Sequence, residues 1–401
     1  MKILLVNKFY YLKGGSERHV FELSKLLTDN NHEVIPFSMQ DPANTRASHE
    51  DYFIKPVDLE KFSLKNIFKF FHNWDAVRRL KKLVKDERPE VAHLHNINHQ
   101  LTPAIIRVLK KNGIRVVMTL HAYDLFCPNA QMFTQGSPCE RCRGGRYYNC
   151  VRYACVKNSY AKSLLSALEL WLNRHVMKYY DQVDVFIAPS LHMAKVAEKF
   201  GLPKDRIKVL HNFLSDSEFE RLSSASNLPP QEKYLFYFGR LAPEKGLADL
   251  ISSSVSWPED LKLKIAGQGP QKAELSAQIE RLKVADRVEL LGFQTGEDLS
   301  DLIKNALAVV LPARWPENMP YSLIEALAAG RPLLVSNLGG LPEMVKAGEN
   351  GFIFKAGDIN DLNLQITRLL QADFTHLSAQ ARLSALLFEA DIYYQNIAQI
   401  Y

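Results

Sequence analysis

Two carboxylates, Glu317 and Glu325, bracket the start of a predicted helix in the stretch Arg314 to Pro332, which reads RWPENMPYSLIEALAAGRP. Pro320 suits a first helical turn, where its missing N–H would have no partner in any case. Gly330 and Pro332 then stop the helix. Glu317 is thereby placed in the loop at the helix mouth and Glu325 about one and a half turns in. A helix N-terminus offers free N–H groups and partial positive charge, so it favours an anion such as phosphate. Carboxylates beside that anion repel it unless they accept hydrogen bonds from neutral hydroxyls. A nucleotide sugar, with phosphates in its middle and hydroxyls at both ends, meets both demands.

Further chemistry lies upstream. In Phe236 to Gly246 an apolar strand runs into a glycine-flanked turn carrying Arg240 and Lys245, two cations suited to a diphosphate. Gly14-Gly15-Ser16 follows the first strand and opens a helix. His121 ends the run Val116 to Leu120, and His95 with Asn96 ends another strand on which His93 is read as buried. No Asp-x-Asp motif is present, so cations and helix amides are expected to do what a divalent metal does elsewhere.

Taken in order, Gly14-Gly15-Ser-Glu-Arg18, Gly239-Arg240, Lys245-Gly246, the Glu317 to Glu325 pair and Gly339-Gly340-Leu-Pro-Glu343 resemble the motifs of glycosyltransferase family 4, retaining enzymes of the GT-B fold found in bacterial surface-polysaccharide assembly. The resemblance runs from about Lys2 to the end of the chain. It implies that His121, Glu317, Arg240 and Lys245 form the catalytic set. It places Gly15, Gly239, Gly267, Gly292, Asn318, Met319, Pro320 and Glu325 with them at the donor, and Gly14, Arg18, His95 and Asn96 at the acceptor. In detail, the Gly15 amide approaches the donor phosphates while Arg240 and Lys245 neutralise the diphosphate leaving group. Glu325 accepts from the ribose, Glu317 contacts the sugar hydroxyls, and Gly267 and Gly292 border the base. Asn318, Met319 and Pro320 depart from the commoner glycine–aromatic–glycine, setting bulk where the sugar approaches. Ala122 stands after His121 where relatives often carry Asp. The implied reaction is a metal-independent, cofactor-free transfer of a hexose from a nucleotide diphosphate to a hydroxyl of a lipid-linked glycan. The leaving phosphate would help to deprotonate the acceptor. A nucleotide-sugar epimerase of the same fold, and a catalytically silent membrane-associated assembly protein, are the alternatives.

The elements that must position these residues alternate strand and helix throughout 401 residues, which argues for two doubly wound Rossmann-like domains in series, with ligands in a central cleft beyond the strand ends. The expected division is an acceptor domain over 1–188 plus 384–401, returned to by a last helix with Phe388, Ile392, Ile397 and Tyr401 as its apolar stripe, and a donor domain over 189–383. Leu214 to Gln231, rich in Ser and Pro, reads as a linker. The N-terminal apolar run is too short for a signal peptide, and no segment is long enough to span a bilayer, so a cytoplasmic protein is expected. Residues 1–200 carry 30 Lys and Arg against 19 Asp and Glu, a net +11, and the remainder 20 against 25, a net −5. A basic first half suggests an anionic surface or ligand. Nucleic acid is excluded as a partner by the lack of any recognition motif. Phe62 to Lys85, basic and aromatic, is a candidate for peripheral attachment to the inner face of the plasma membrane. All five cysteines fall between Cys127 and Cys155, and Cys139, Cys142, Cys150 and Cys155 have spacing suited to a structural zinc.

Overall fold

A computed structural model describes residues 1–58 and 63–401; Lys61 and Phe62 of the basic aromatic segment lie outside the described residues. The chain forms two units, Met1–Met132 with Cys139–His211 and Tyr393–Tyr401, and Phe133–Pro138 with Asn212–Ile392. Each holds a six-stranded parallel sheet. The first contains β1 (Lys2–Val6), β2 (Glu33–Phe37), β3 (Val91–Leu94) and β4 (Arg115–Thr119); a two-residue hairpin, β5 (Phe133–Thr134) and β6 (Ser137–Pro138), precedes its last strands, β7 (Val185–Ala188) and β8 (Ile207–Val209). The second contains β9 (Tyr234–Phe238), β10 (Lys262–Ala266), β11 (Val288–Gly292), β12 (Ala308–Leu311), β13 (Leu333–Ser336) and β14 (Gly351–Phe354). Continuous apolar runs such as Tyr234–Phe238, buried at every position, are what a strand covered on both faces requires.

Strand order decides where ligands can sit. The first sheet runs β2-β1-β3-β4-β7-β8 and the second β11-β10-β9-β12-β13-β14. In each the chain winds outward from a central strand and then reverses, between β1 and β3 in the first and between β9 and β12 in the second. At such a reversal the following loops part on opposite sides and leave a crevice beyond the strands' carboxyl ends. Gly14, Gly15, His95 and Asn96 follow β1 and β3. Arg240, Lys245 and Glu317 follow β9 and β12.

The expected division at 188/189 moves. Three residues of β8 pair with β7 and extend the first sheet, so the first unit runs to His211. The stretch read as a linker holds the helix Asp216–Ser223, with Leu214 and Leu222 buried in the second core. The chain rejoins the first unit from Tyr393, later than the expected 384. On that last helix Tyr393 and Ile397 face inward while Ile392 is 36% exposed, so the apolar stripe is offset from the one expected. Tyrosine hydroxyls along it meet three histidines: Tyr393 with His19 (3.2 Å), Tyr394 with His32 (2.9 Å) and Tyr401 with His93 (2.6 Å).

The helix Tyr160–Trp171 buries Glu169, whose carboxylate accepts from Asn173 at 2.7 Å. Burial pushes the Glu169 pKa up to about 8 and that of Asp124 up to about 6. The folded chain therefore keeps protons that the unfolded chain releases near its ordinary carboxyl pKa, and stability falls as pH rises from about 4.5 to about 8. Glu169→Gln keeps the acceptor for Asn173 and removes the charge. Thermal unfolding across that range should show little change from wild type at pH 5 and a higher melting temperature at pH 8.

Candidate functional site

In the second unit β9 and β12 are neighbours, with Ala308 opposite Leu235 and Val309 opposite Phe236, so their loops leave the sheet side by side. Across that gap the Lys245 ammonium ion-pairs with the Glu317 carboxylate, and it lies 5.5 Å from the centre of the Trp315 ring. The side chains keep 18% and 8% of their surface, enough burial to strengthen the pair while leaving an edge open to a ligand.

Backbone contacts that only glycine permits hold both loops. Gly246 has φ +72°, and a β-carbon there would lie 1.9 Å from the Pro312 carbonyl oxygen. Gly339 has φ +66°, and its β-carbon would lie 2.0 Å from the carbonyl oxygen of Glu317, to which the Gly340 N–H also donates at 2.7 Å. The two glycine motifs thus press on the Lys245 and Glu317 loops from either side. Arg314 ties them together: its guanidinium grips both oxygens of Asp249 (2.5 and 2.6 Å) and its N–H donates to the Glu244 carbonyl (2.8 Å). Asp249 was not anticipated, because a single Asp three residues after a glycine turn carries no distinctive spacing.

Arg240 is 64% exposed with Glu244 at 3.8 Å, a weak restraint that leaves its guanidinium available to an anion. Gly239 and Gly267 have φ +150° and +147°, and a β-carbon on Gly267 would lie 1.8 Å from the Gly239 carbonyl oxygen. The Gly267 N–H donates to Gly292 at 2.6 Å. Close backbone approach therefore already demands glycine at Gly267, and positive φ favours it at Gly239, before any base is considered. Glu325 is buried within the helix Tyr321–Ala328, and Pro320 stands just ahead of it, extended at ψ 134°, outside the first turn where it was expected. Met319 is 5% exposed and packs in the core, with its carbonyl accepting from Asn212 at 2.7 Å.

In the first unit Asn7 bridges the loops of the switch point. Its amide donates to the Phe9 carbonyl (2.8 Å) and reaches Glu17 (3.4 Å), while its oxygen accepts from the Asn96 N–H (3.1 Å). Gly14 is extended, and a β-carbon there would meet only Glu17 Oε2 at 3.6 Å, so the fold itself does not require glycine. Arg18, expected at the acceptor, pairs with Glu22 one turn on at 2.7 Å. His121 joins His95 through an Nε2···Nδ1 hydrogen bond of 2.9 Å, and His95 stacks on His93 with ring centres 4.3 Å apart. His19 completes the cluster, and the ligand nitrogens of His19, His95 and His121 lie within 4.8 Å of one another. His19 had been passed over because it sits on a helix, away from the strand ends. Burial, then mutual repulsion, pushes the imidazolium pKa values down, His93 to about 3; at His121, partly exposed as a residue, burial alone brings it to about 4. These are neutral imidazoles at physiological pH, able to donate and accept hydrogen bonds but holding no charge for an anion.

Cys142 and Cys150 sit in an apolar cluster with Tyr147, Ala167 and Leu170, against which Cys155 packs. Burial pushes the Cys142 thiol up to about 12 and the Cys127 thiol up to about 11, each raised further by neighbouring cysteines that include Cys139 and Cys155. Cys127, left out of the expected ligand set, therefore belongs to the same neighbourhood. None of the five cysteines forms a disulfide, and among the described residues they do not close to the mutual spacing of the three histidines. The donor set suits a soft metal in kind, although its sulfurs are not gathered as ligands are around a bound ion.

With these loops in place, comparison with known proteins is decisive. Residues 13–218 match the model of Glycosyltransferase Family 4, and residues 218–384 that of Glycosyl transferases group 1. The chain belongs to glycosyltransferase family 4. An uncharacterized glycosyltransferase of Methanocaldococcus jannaschii is 33% identical over 44% of this chain and 49% of its own length. Among solved structures, the lipopolysaccharide outer core galactosyltransferase WaaB superposes with TM-score 0.69 at 17% identity, over 99% of this chain and 98% of that one. HepE of Anabaena in complex with UDP-glucose does so with TM-score 0.66 at 20% identity, over 100% and 99%. The protein is a glycosyltransferase with the GT-B architecture.

The buried pair generates a test. Lys245→Met leaves the Glu317 charge without its partner, which should cost about 1–3 kcal/mol of stability and lower turnover about 10²–10³-fold. Adding Glu317→Gln should restore much of the melting temperature, because no uncompensated charge remains, while turnover stays low. Recovery of both together would mean the pair is structural alone.

Proposed function

We propose that this glycosyltransferase moves a hexose from a nucleotide diphosphate to a hydroxyl of a lipid-linked glycan in surface-polysaccharide assembly, retaining the anomeric configuration and using no catalytic metal. The observation that carries the reading is the Lys245–Glu317 pair at the switch point of the second sheet, beside an exposed Arg240 and ahead of the helix Tyr321–Ala328. In this reading Lys245 exchanges its carboxylate partner for phosphate, and Arg240 adds a second cation. Each charge-assisted contact to phosphate contributes about 1.5–3 kcal/mol. Glu317, released from Lys245, accepts from the sugar hydroxyls, and Glu325 from the ribose. His121, neutral, hydrogen-bonds sugar or acceptor without drawing a proton into a charged imidazolium. The leaving phosphate takes the acceptor proton. HepE's complex with UDP-glucose supports a nucleotide-sugar donor, and WaaB's name supports a glycan acceptor of the cell surface.

Thermal unfolding against a panel of nucleotide sugars tests the donor, since a ligand at a hundred times its Kd adds about 2.7 kcal/mol. The donor should raise the melting temperature with magnesium or with chelator alike. NMR of the product should show the donor's anomeric configuration. An inverted centre, or turnover that chelator abolishes and magnesium restores, would overturn the corresponding part. Release of an isomerised nucleotide sugar without acceptor would instead mark an epimerase.

We also propose that Cys139, Cys142, Cys150 and Cys155 hold a structural zinc, with Cys127 a fifth thiol nearby. Elemental analysis of the purified protein should find about one zinc per chain, lost in Cys142→Ser. Zinc-free, fully active protein with five titratable thiols would refute this.

A further inference from the structure

The helix Tyr160–Trp171 is turned against the usual sense. Its inward face buries Ser163, Ser166, Ala167, Glu169 and Leu170. Its outward face presents Tyr160 (67% exposed), Leu164 (47%), Leu168 (44%) and Trp171 (47%). At 3.6 residues per turn these four fall within an arc of about 80°. Single exposed apolar residues are ordinary, but a contiguous stripe ending in tryptophan marks a surface that something covers. Between residues 141 and 178 stand eight Lys and Arg, and the sole acidic residue is the buried Glu169. Arg141, Arg143, Arg146, Arg152, Lys157 and Lys178 are exposed. Hydrocarbon beneath a negative surface is the environment that matches an apolar stripe bordered by cations. A second copy of the chain fits it less well, because self-pairing would bring like charges together.

The segment singled out from sequence for the same role offers a rival surface: on its helix Leu64–Phe71, Phe68 is 72% exposed while Ile67, Phe70 and Phe71 are half-buried. The helix Trp74–Glu87 turns Ala76, Leu80, Leu83 and Val84 inward, as a surface helix does, and Arg78 and Arg79 both pair with Asp75. Its exposed apolar group is Trp74, 71% exposed. The protein thus has an exposed tryptophan on each candidate surface.

We propose that the helix Tyr160–Trp171 lies in the interface of an anionic bilayer, with Tyr160, Leu164, Leu168 and Trp171 among the acyl chains and the flanking Arg and Lys on the headgroups. This deepens the reading of a lipid-linked acceptor, which it presupposes. The test uses the full chain and vesicles of phosphatidylcholine with or without phosphatidylglycerol, the acyl chains brominated to quench tryptophan on contact. Mixed vesicles should bind the protein and quench Trp74→Phe, which keeps Trp171, but leave Trp171→Phe unquenched. Leu164→Gln with Leu168→Gln, at exposed positions that should leave melting unchanged, should weaken partitioning about tenfold or more. The proposal falls if quenching follows Trp74, if the double variant partitions as wild type does, or if neither vesicle binds the protein. It falls equally if the double variant merely dissolves a dimer. Transfer to a lipid-linked acceptor in detergent, assayed in parallel, separates the two readings: its absence counts against the proposed transfer and leaves the vesicle result standing.

Discussion

A lysine and a glutamate that form an ion pair at the switch point of the second sheet set the terms for the loops around them. Lys245 and Glu317 come from loops more than seventy residues apart in sequence, and only the reversal of strand order between β9 and β12 makes them neighbours. Two partly buried opposite charges are costly to desolvate unless their geometry is held, so the surroundings must be rigid. The rigidity is backbone on backbone. Gly246 against Pro312 and Gly339 against Glu317 leave no room for a single added carbon, and the Arg314–Asp249 fork closes the remaining freedom. Pairing also keeps both groups aimed, the preorganisation that the proposed donor site requires.

The first unit solves a different problem. Its switch point gathers His19, His93, His95 and His121, and burial, joined by mutual repulsion at the first three, keeps them uncharged. Neutral rings can approach as closely as the 2.9 Å between His95 and His121, which two imidazoliums would not tolerate. The network is anchored from the far end of the chain, where Tyr393 and Tyr401 hydrogen-bond His19 and His93. The returning helix therefore does more than cover apolar surface, since its hydroxyls fix the rings behind the histidine that the family resemblance assigns to the reaction.

What the sequence made legible followed from strong local signals. The apolar strand ahead of the Arg240 and Lys245 turn was readable because a buried parallel strand such as Tyr234–Phe238 needs an unbroken apolar run. The glycine turns stood out because few residues can replace glycine at positive φ. β8 and β14 lay hidden for the converse reason: β8 is three residues with Lys208 and Val209 exposed, and β14 starts on a glycine whose need comes from contact with Leu333. That Met319 packs in the core was not legible, because position beside a motif does not reveal which way a side chain turns. His19 and Asp249 act only through long-range contacts that periodicity does not encode. The outward stripe of Tyr160–Trp171 escaped because its apolar spacing is that of any amphipathic helix, and only burial shows which face is covered.

The charge asymmetry acquires a physical meaning from this geometry. Residues 201–401 carry a net −5, so the doubly charged donor of the proposed reaction would gain no general attraction from that half of the chain and would depend on groups in contact with it. Lys245, Arg240 and helix N–H groups act over a few ångströms, inside the roughly 8 Å at which physiological salt screens exposed charges. The cations of residues 141–178 are exposed and numerous, a distribution suited to a broad, salt-sensitive attraction toward a surface. Contact-range charge selects by shape, and distributed charge selects by field. Placing the first in the acidic half and the second in the basic half keeps the site cations from becoming a general sink for anions, and keeps the basic surface from needing a shaped pocket.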